Sequence, residues 1–320
     1  MTRKLFALLL LLILLLTACN LPSGTPTALP AVITDTPVPT VPATAAATLP
    51  PVATDTPVPP TAVPGGLTLD MLRNATYTAP FYNRTVKLVN GAYTEGSGAT
   101  AYSVTMLDAY AFGDLNGDGK FDAAIILAEN GGGTGQFESV IAVTNLGGAP
   151  HQVSQVQLGD RVLINSADIS SGVIHLNMLV QGPSDPMCCP SQAETQSFWL
   201  MGNTLWLMRL VSGAPGSERI INITAPANWG NVTNPFTVSG TVSILPFENT
   251  LGYEIYLLNG TKVNESSFTV TPSGGTAGTF SRTFDLSAAG IHGLVIIHFK
   301  DVSAVDGSTI AMGSVVVNLP

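Results

Sequence analysis

From about residue 66 onward the chain is written in short apolar runs that end at Gly, Asn or Asp, and this pattern limits the fold more than any other feature. Phe236/Val238 and Tyr253/Ile255/Leu257 are apolar at every second position, the period that sends strand side chains to opposite faces. Leu294–Phe299 is almost continuously apolar, as a central strand covered on both sides would be. Charged residues are only 10% of the chain and glycines number 32, a balance that suits strands joined by uncharged turns rather than helices. Leu67, Leu69, Met71 and Leu72 suggest one short helix. The expected class is mainly β.

Two folded bodies are expected. The first, residues 66–212, carries the short helix and then strands at Val86–Val89, Tyr102–Phe112, Ala123–Ala128, Phe137–Thr144, Val153–Leu158, Arg161–Ile169, Val173–Val180, Gln196–Met201 and Leu205–Leu210. Its expected form is a strongly bent sheet or small sandwich. The second, residues 216–320, reads as seven strands at Ile220–Ile223, Phe236–Val242, Tyr253–Leu258, Val263–Thr271, Thr279–Phe284, Gly293–Phe299 and Ile310–Leu319. Their number and spacing fit an immunoglobulin-like sandwich without the inter-sheet disulfide, because this stretch holds no cysteine. Ile223-Thr224-Ala225-Pro226, Asn234-Pro235-Phe236-Thr237-Val238-Ser239-Gly240-Thr241-Val242, Tyr253-Glu254-Ile255 and Ala304-Val305-Asp306-Gly307-Ser308 resemble the immunoglobulin-like domain of bacterial spore-germination and related exported proteins. That resemblance implies a binding or structural module and supplies no catalytic residue.

The N-terminal end reads as a secretory leader over residues 1–18. Arg3 and Lys4 precede the apolar run Leu5–Leu16, and Thr17-Ala18 lead into Cys19. As a helix the run reaches about 18 Å, short of the ~30 Å hydrocarbon core. Leu16-Thr17-Ala18-Cys19 resembles the bacterial lipoprotein box, which implies that Cys19 is acylated and becomes the new N-terminus at the cell membrane. Residues 19–65 then form a tether with 12 of the 23 prolines, no aromatic residue and no Lys or Arg. Thr34-Asp35-Thr36-Pro37-Val38-Pro39 recurs as Thr54-Asp55-Thr56-Pro57-Val58-Pro59. This composition favours extended polyproline II, reaching at most roughly 140 Å at ~3.1 Å per residue.

Net charge is −9, and −11 once Arg3 and Lys4 leave with the leader. So acidic a chain disfavours nucleic acid and is repelled by anionic headgroups, so membrane attachment falls to the acyl chains. Beyond Cys19 the only cysteines are the adjacent Cys188 and Cys189, which give no conventional disulfide framework. The pair reads as a tight vicinal disulfide, as two unpaired thiols, or as a redox or metal pair. The four histidines, at 151, 175, 292 and 298, are too scattered to complete a metal site with it.

The sharpest motif is Asp114-Leu115-Asn116-Gly117-Asp118-Gly119-Lys120-Phe121-Asp122. Oxygen side chains at the first, third, fifth and ninth positions, glycine at the sixth and a free carbonyl at Lys120 are the spacing of a calcium loop. Ile125 replaces the bidentate glutamate of an EF-hand, and the loop resembles the calcium hairpins of FG-GAP and other β-propeller repeats. A structural calcium ion of modest affinity is expected, against an ion-free Asx/Gly turn. The surrounding sequence, from Ala111 through Gly131–Gly135 to Gly182–Pro190, resembles an uncharacterised exported-lipoprotein domain with no assigned activity. Gly131–Gly135 lacks the Lys-Ser/Thr and helix of a phosphate cradle and reads as a hairpin loop.

No Gly-x-Ser-x-Gly nucleophile motif is present, and Glu129, Asp160 and Asp168 read as solvated carboxylates rather than a hydrolytic pair. Trp199, Trp206 and Trp229 read as core or interface packing, or as a carbohydrate or peptide platform. The expectation is a non-enzymatic binding or scaffolding protein on the extracytoplasmic face, with an envelope protein or polysaccharide as ligand. The competing reading is an envelope-polymer hydrolase or a thiol-redox protein. Convergence of the Asp114–Asp122 loop, the cysteine pair and the tryptophans on one concave face would mark a specific site.

Overall fold

The computed structural model describes residues 66–320; the expected leader, Cys19 and the Pro/Thr tether lie outside the described residues. The fold starts at helix α1 (Leu69–Arg73), where the Thr68 hydroxyl accepts the Met71 N–H at 3.3 Å. A hairpin follows, β1 (Thr76–Ala79) and β2 (Arg84–Lys87). Strands β3 (Ala92–Glu95), β4 (Tyr102–Gly113), β5 (Asp122–Asn130), β6 (Phe137–Leu146) and β7 (Ala149–Asp160) form one antiparallel sheet in chain order. Strands β8 (Leu163–Ser170), β9 (Val173–Val180), β10 (Gln192–Met201) and β11 (Thr204–Ser212) form a second meander.

Strand β5 explains the layering. Its residues Ala123 to Leu127 are all 0% exposed, so both faces are covered. Ala123, Ile125 and Leu127 pack with Leu72 of α1 and with Tyr77, Val86 and Leu88 around the first hairpin. Ala124 and Ile126 pack with Ile174, Leu176 and Met178 of β9 and Phe198 of β10. The first body is therefore a sandwich with a third, partial layer, and each fully buried Val, Leu or Ile contributes about 1.5–3 kcal/mol.

The C-terminal body adds β12 (Ile221–Ala225), the two-residue β13 (Gly230–Asn231), β14 (Phe236–Val242), β15 (Thr250–Leu257), β16 (Lys262–Thr269), β17 (Thr271–Gly274), β18 (Ala277–Phe284), β19 (Gly293–Val302) and β20 (Thr309–Leu319). One sheet has the order β12-β14-β18-β17; the other runs β16-β15-β19-β20. Phe236, Val238 and Phe280 of the first meet Tyr253, Ile255, Ile297, Phe299 and Val315 of the second in one core. The single strand expected over Val263–Thr271 is instead two. Val270, fully buried, is the corner between β16 and β17, and its N–H donates to the Asn249 carbonyl at 2.7 Å. Pro272 is accommodated because β17 is an edge strand.

The two bodies share a sheet. Strand β20 pairs with β11 through Arg209↔Gly313, Leu210↔Met312 and Val211↔Ala311, so the order continues β20-β11-β10-β9-β8. The connecting turn is tied down as well. Arg219 N–H donates to the Ser212 carbonyl at 2.8 Å, and its guanidinium pairs with Asp301, a carboxylate only 3% exposed. Burial pushes the Asp301 carboxyl up, against the pull of Arg219. Among the described residues no helix is long and apolar enough to cross a membrane.

Candidate functional site

The Asp114–Asp122 segment is the loop between β4 and β5. Asp114 accepts the backbone N–H groups of Gly117 at 2.7 Å, Asp118 at 3.2 Å and Gly119 at 2.8 Å. Asn116 accepts from Asp118 N at 2.9 Å, and Asp118 from Lys120 N at 2.9 Å. Gly117 and Gly119 have φ of +78° and +79°, a region closed to most side chains, which lets the turn fold back on Asp114. Asp122 is placed differently. It is fully buried and accepts Leu115 N at 3.0 Å and Asn145 N at 2.9 Å, tying the loop to the end of β6. Burial pushes its carboxyl up despite those two amides, and the nearby Asp118 and Asp114 charges add to the rise. Among the described residues no three His, Cys, Asp or Glu side chains are grouped to hold a metal ion. The donor set itself is chemically suited to calcium: Asp114, Asn116 and Asp118 are oxygen donors around one turn, and Asp114 Oδ2, Asn116 Oδ1 and Asp118 Oδ1, each accepting one N–H, retain a second lone pair.

This loop forms one wall of a cleft of ≈ 640 Å³. The Ser171-Gly172 turn between β8 and β9 and the end of β10 form the others, and Trp229, from the connection after β12, closes it from the second body. Trp199 of β10 and Trp229 stack, with ring centroids 5.6 Å apart and planes within 14°. Trp229 is 49% exposed, although it is a large aromatic residue. Its backbone is at φ +64°, which is costly for a bulky side chain. Neighbouring bonds hold it there: Trp229 N–H donates to the Val316 carbonyl at 2.7 Å, and the Asn228 side chain accepts Val316 N–H at 2.9 Å. Strand β13 then runs parallel to β20 directly after it. Phe112 and Phe121 bring two further rings to the cleft, and Phe121 is 37% exposed.

Trp199 and Val173 also line a second hollow of ≈ 300 Å³, where His175 Nδ1 lies 3.0 Å from Ser197 Oγ. Trp206 is elsewhere. It is buried with Tyr256 and His298, at 5.6 and 6.1 Å between centroids. Burial holds the His298 ring at about 4, and its Nδ1 lies 2.6 Å from Ser314 Oγ. Of the three carboxylates read from the sequence as solvated, Glu129 is instead fully buried, and the three have separate tasks. Glu129 is buried and accepts from Phe81 N, Tyr82 N and Tyr102 OH. Asp160 pairs with Arg161 at 2.8 Å, and Asp168 sits opposite His175 in the β8–β9 register.

Cys188 and Cys189 are bonded to each other, with Cα atoms 3.8 Å apart. Their turn is organised by Asp185, whose carboxyl is held low first by the Ser191 hydroxyl and then by the Gly182 and Ser191 N–H groups. Cys188 borders a separate hollow beside Arg161 and Leu163, whose described lining shares no residue with the tryptophan cleft. Sequence reasoning thus named the loop, Trp199 and Trp229, but not the part of Phe121 in the cleft or the Ser171 turn. No pattern at those positions departs from an ordinary hairpin.

The C-terminal body is an immunoglobulin-like sandwich, four strands facing four. Residues 220–308 match the family described as the immunoglobulin-like domain of bacterial spore germination, a match that stops just short of β20. No curated protein and no solved structure matches the chain.

Proposed function

We propose that the chain is a non-enzymatic binding module of the cell envelope, anchored through acylated Cys19 and carried away from the membrane by the Pro/Thr tether. The carrying observation is the Trp199–Trp229 stack, a half-buried and an exposed indole at the mouth of a cleft built where the two bodies meet. The immunoglobulin-like match at residues 220–308 supports a binding or scaffolding role. Calcium, when present, is held by Asp114, Asn116, Asp118 and the Lys120 carbonyl, while Asp122 fixes the ends of the loop.

Two measurements test this reading. Radiolabelled palmitate is incorporated into the wild type and not into Cys19→Ala; equal labelling, or none in either, removes the anchor. The purified ectodomain co-sediments with isolated cell-envelope polymer, and Trp229→Ala, with an unchanged melting temperature, does not. Absence of wild-type co-sedimentation defeats the binding role.

A further inference from the structure

The lining of the large cleft is chemically one-sided. Four aromatic residues, Phe112, Phe121, Trp199 and Trp229, share it with Asp114, and no Lys, Arg or His is among the described residues that line it. Aromatic faces carry negative quadrupole density, and a carboxylate beside them adds a formal charge. The exposed turn that follows Asp114 adds the carboxyl group of Asp118 to it, against the single ammonium of Lys120, while Asp122 is buried toward β6. Lys120 lies 3.5 Å from Asp118 and is not part of the lining. An anionic ligand would find no counter-charge here. A polyhydroxylated one would find few side-chain partners, Asp114, Ser171 and the indole N–H groups of Trp199 and Trp229. A bulky, weakly hydrated cation meets both the rings and the charge.

We propose that this cleft binds an organic cation of the quaternary or methylated ammonium class, seated against Phe121 and Trp229 with the Asp114–Asp122 loop as counter-charge. The proposal rests on the binding-module reading and specifies its ligand. It also accounts for the placement of Trp229: an exposed indole kept at positive φ by two bonds to Val316 is a positioned surface, not filler. The cation discriminates by charge rather than shape, so a neutral molecule of the same outline is a direct control.

The experiment is a titration of the purified ectodomain in chelator-containing buffer, read by tryptophan fluorescence and calorimetry. Its probes are choline, its uncharged isostere 3,3-dimethylbutan-1-ol, and an N-acetylglucosamine trimer. Choline is expected to bind at least about tenfold more tightly than the isostere and to weaken with added salt. Trp229→Ala lowers choline affinity about tenfold, and Phe121→Leu, on the exposed loop, lowers it as well and serves as the test where Trp229→Ala folds poorly. Equal binding of choline and the isostere, or binding of the trimer alone, overturns the proposal. A wild type that sediments with envelope polymer yet ignores choline keeps the binding-module reading and removes only the cation.

Discussion

Replacing Asp122 by alanine removes one side chain and strands two buried backbone donors. Leu115 N and Asn145 N, at 3.0 and 2.9 Å from the carboxylate, then lose that acceptor. An orphaned buried N–H costs about 1–3 kcal/mol, so the pair costs about 2–6 kcal/mol. Removing a carboxylate that burial disfavours returns part of this, and we expect a net loss of about 3 kcal/mol. For a chain of this size that lowers the melting temperature by roughly 6–12 °C. The assay is urea unfolding in excess chelator, with Asp114→Ala as comparison because its amide partners lie on the exposed turn. Asp122→Ala should be the costlier change although both positions belong to the same motif. A loss under about 1 kcal/mol in chelator, growing only when calcium is added, would refute the reasoning and make Asp122 a metal ligand.

Two other outcomes follow from the structure. Burial holds His298 at about 4, while the unfolded chain titrates near its ordinary 6.5. The folded state therefore binds fewer protons in that window, and its stability is full above 6.5 and lost as pH falls toward 4, by about 3 kcal/mol. Asp122, Glu138, Glu194 and Asp301, all pushed up by burial, act in the opposite sense. The reading is thus the difference between wild type and His298→Gln in urea titrations across that range, and parallel curves would contradict it. A Cβ at Gly113 would lie 2.4 Å from Ile169 Cγ2 and 2.8 Å from its Cβ, where β4 crosses β8. Gly113→Ala should cost about 1–3 kcal/mol by urea denaturation and distort the cleft that both residues line; an unchanged midpoint would show that the strands can separate.

The strand content was legible because it rests on local pattern. Val173–Val180 and Phe236–Val242 are found as the alternation gives them, and Leu69–Arg73 overlaps the short apolar cluster, Leu67 to Leu72, expected to be helical. Strands Thr76–Ala79 and Ala92–Glu95 were not legible, being short and polar, with pairing supplied by neighbours. The division of Val263–Thr271 at Val270 was hidden for the same reason: a corner between sheets keeps the composition of a strand. In the site, the Asp/Asn spacing announced a tight loop, but not that Asp122 would turn inward to two amides. Trp199 and Trp229 were visible as residues and invisible as a pair. They are 30 positions apart in sequence and meet only because β20 docks on β11.

That docking has a kinetic consequence. Proteins that grip a ligand between two lobes usually swing on a hinge, and capture includes a closing step. Here the lobes are splinted by a hydrogen-bonded ladder and by Arg219 to Asp301, so rotation would have to unzip β11 from β20. On the proposed role, a ligand would slip between loops already standing in place, and its arrival should register in stopped flow as one bimolecular phase with no slow tail.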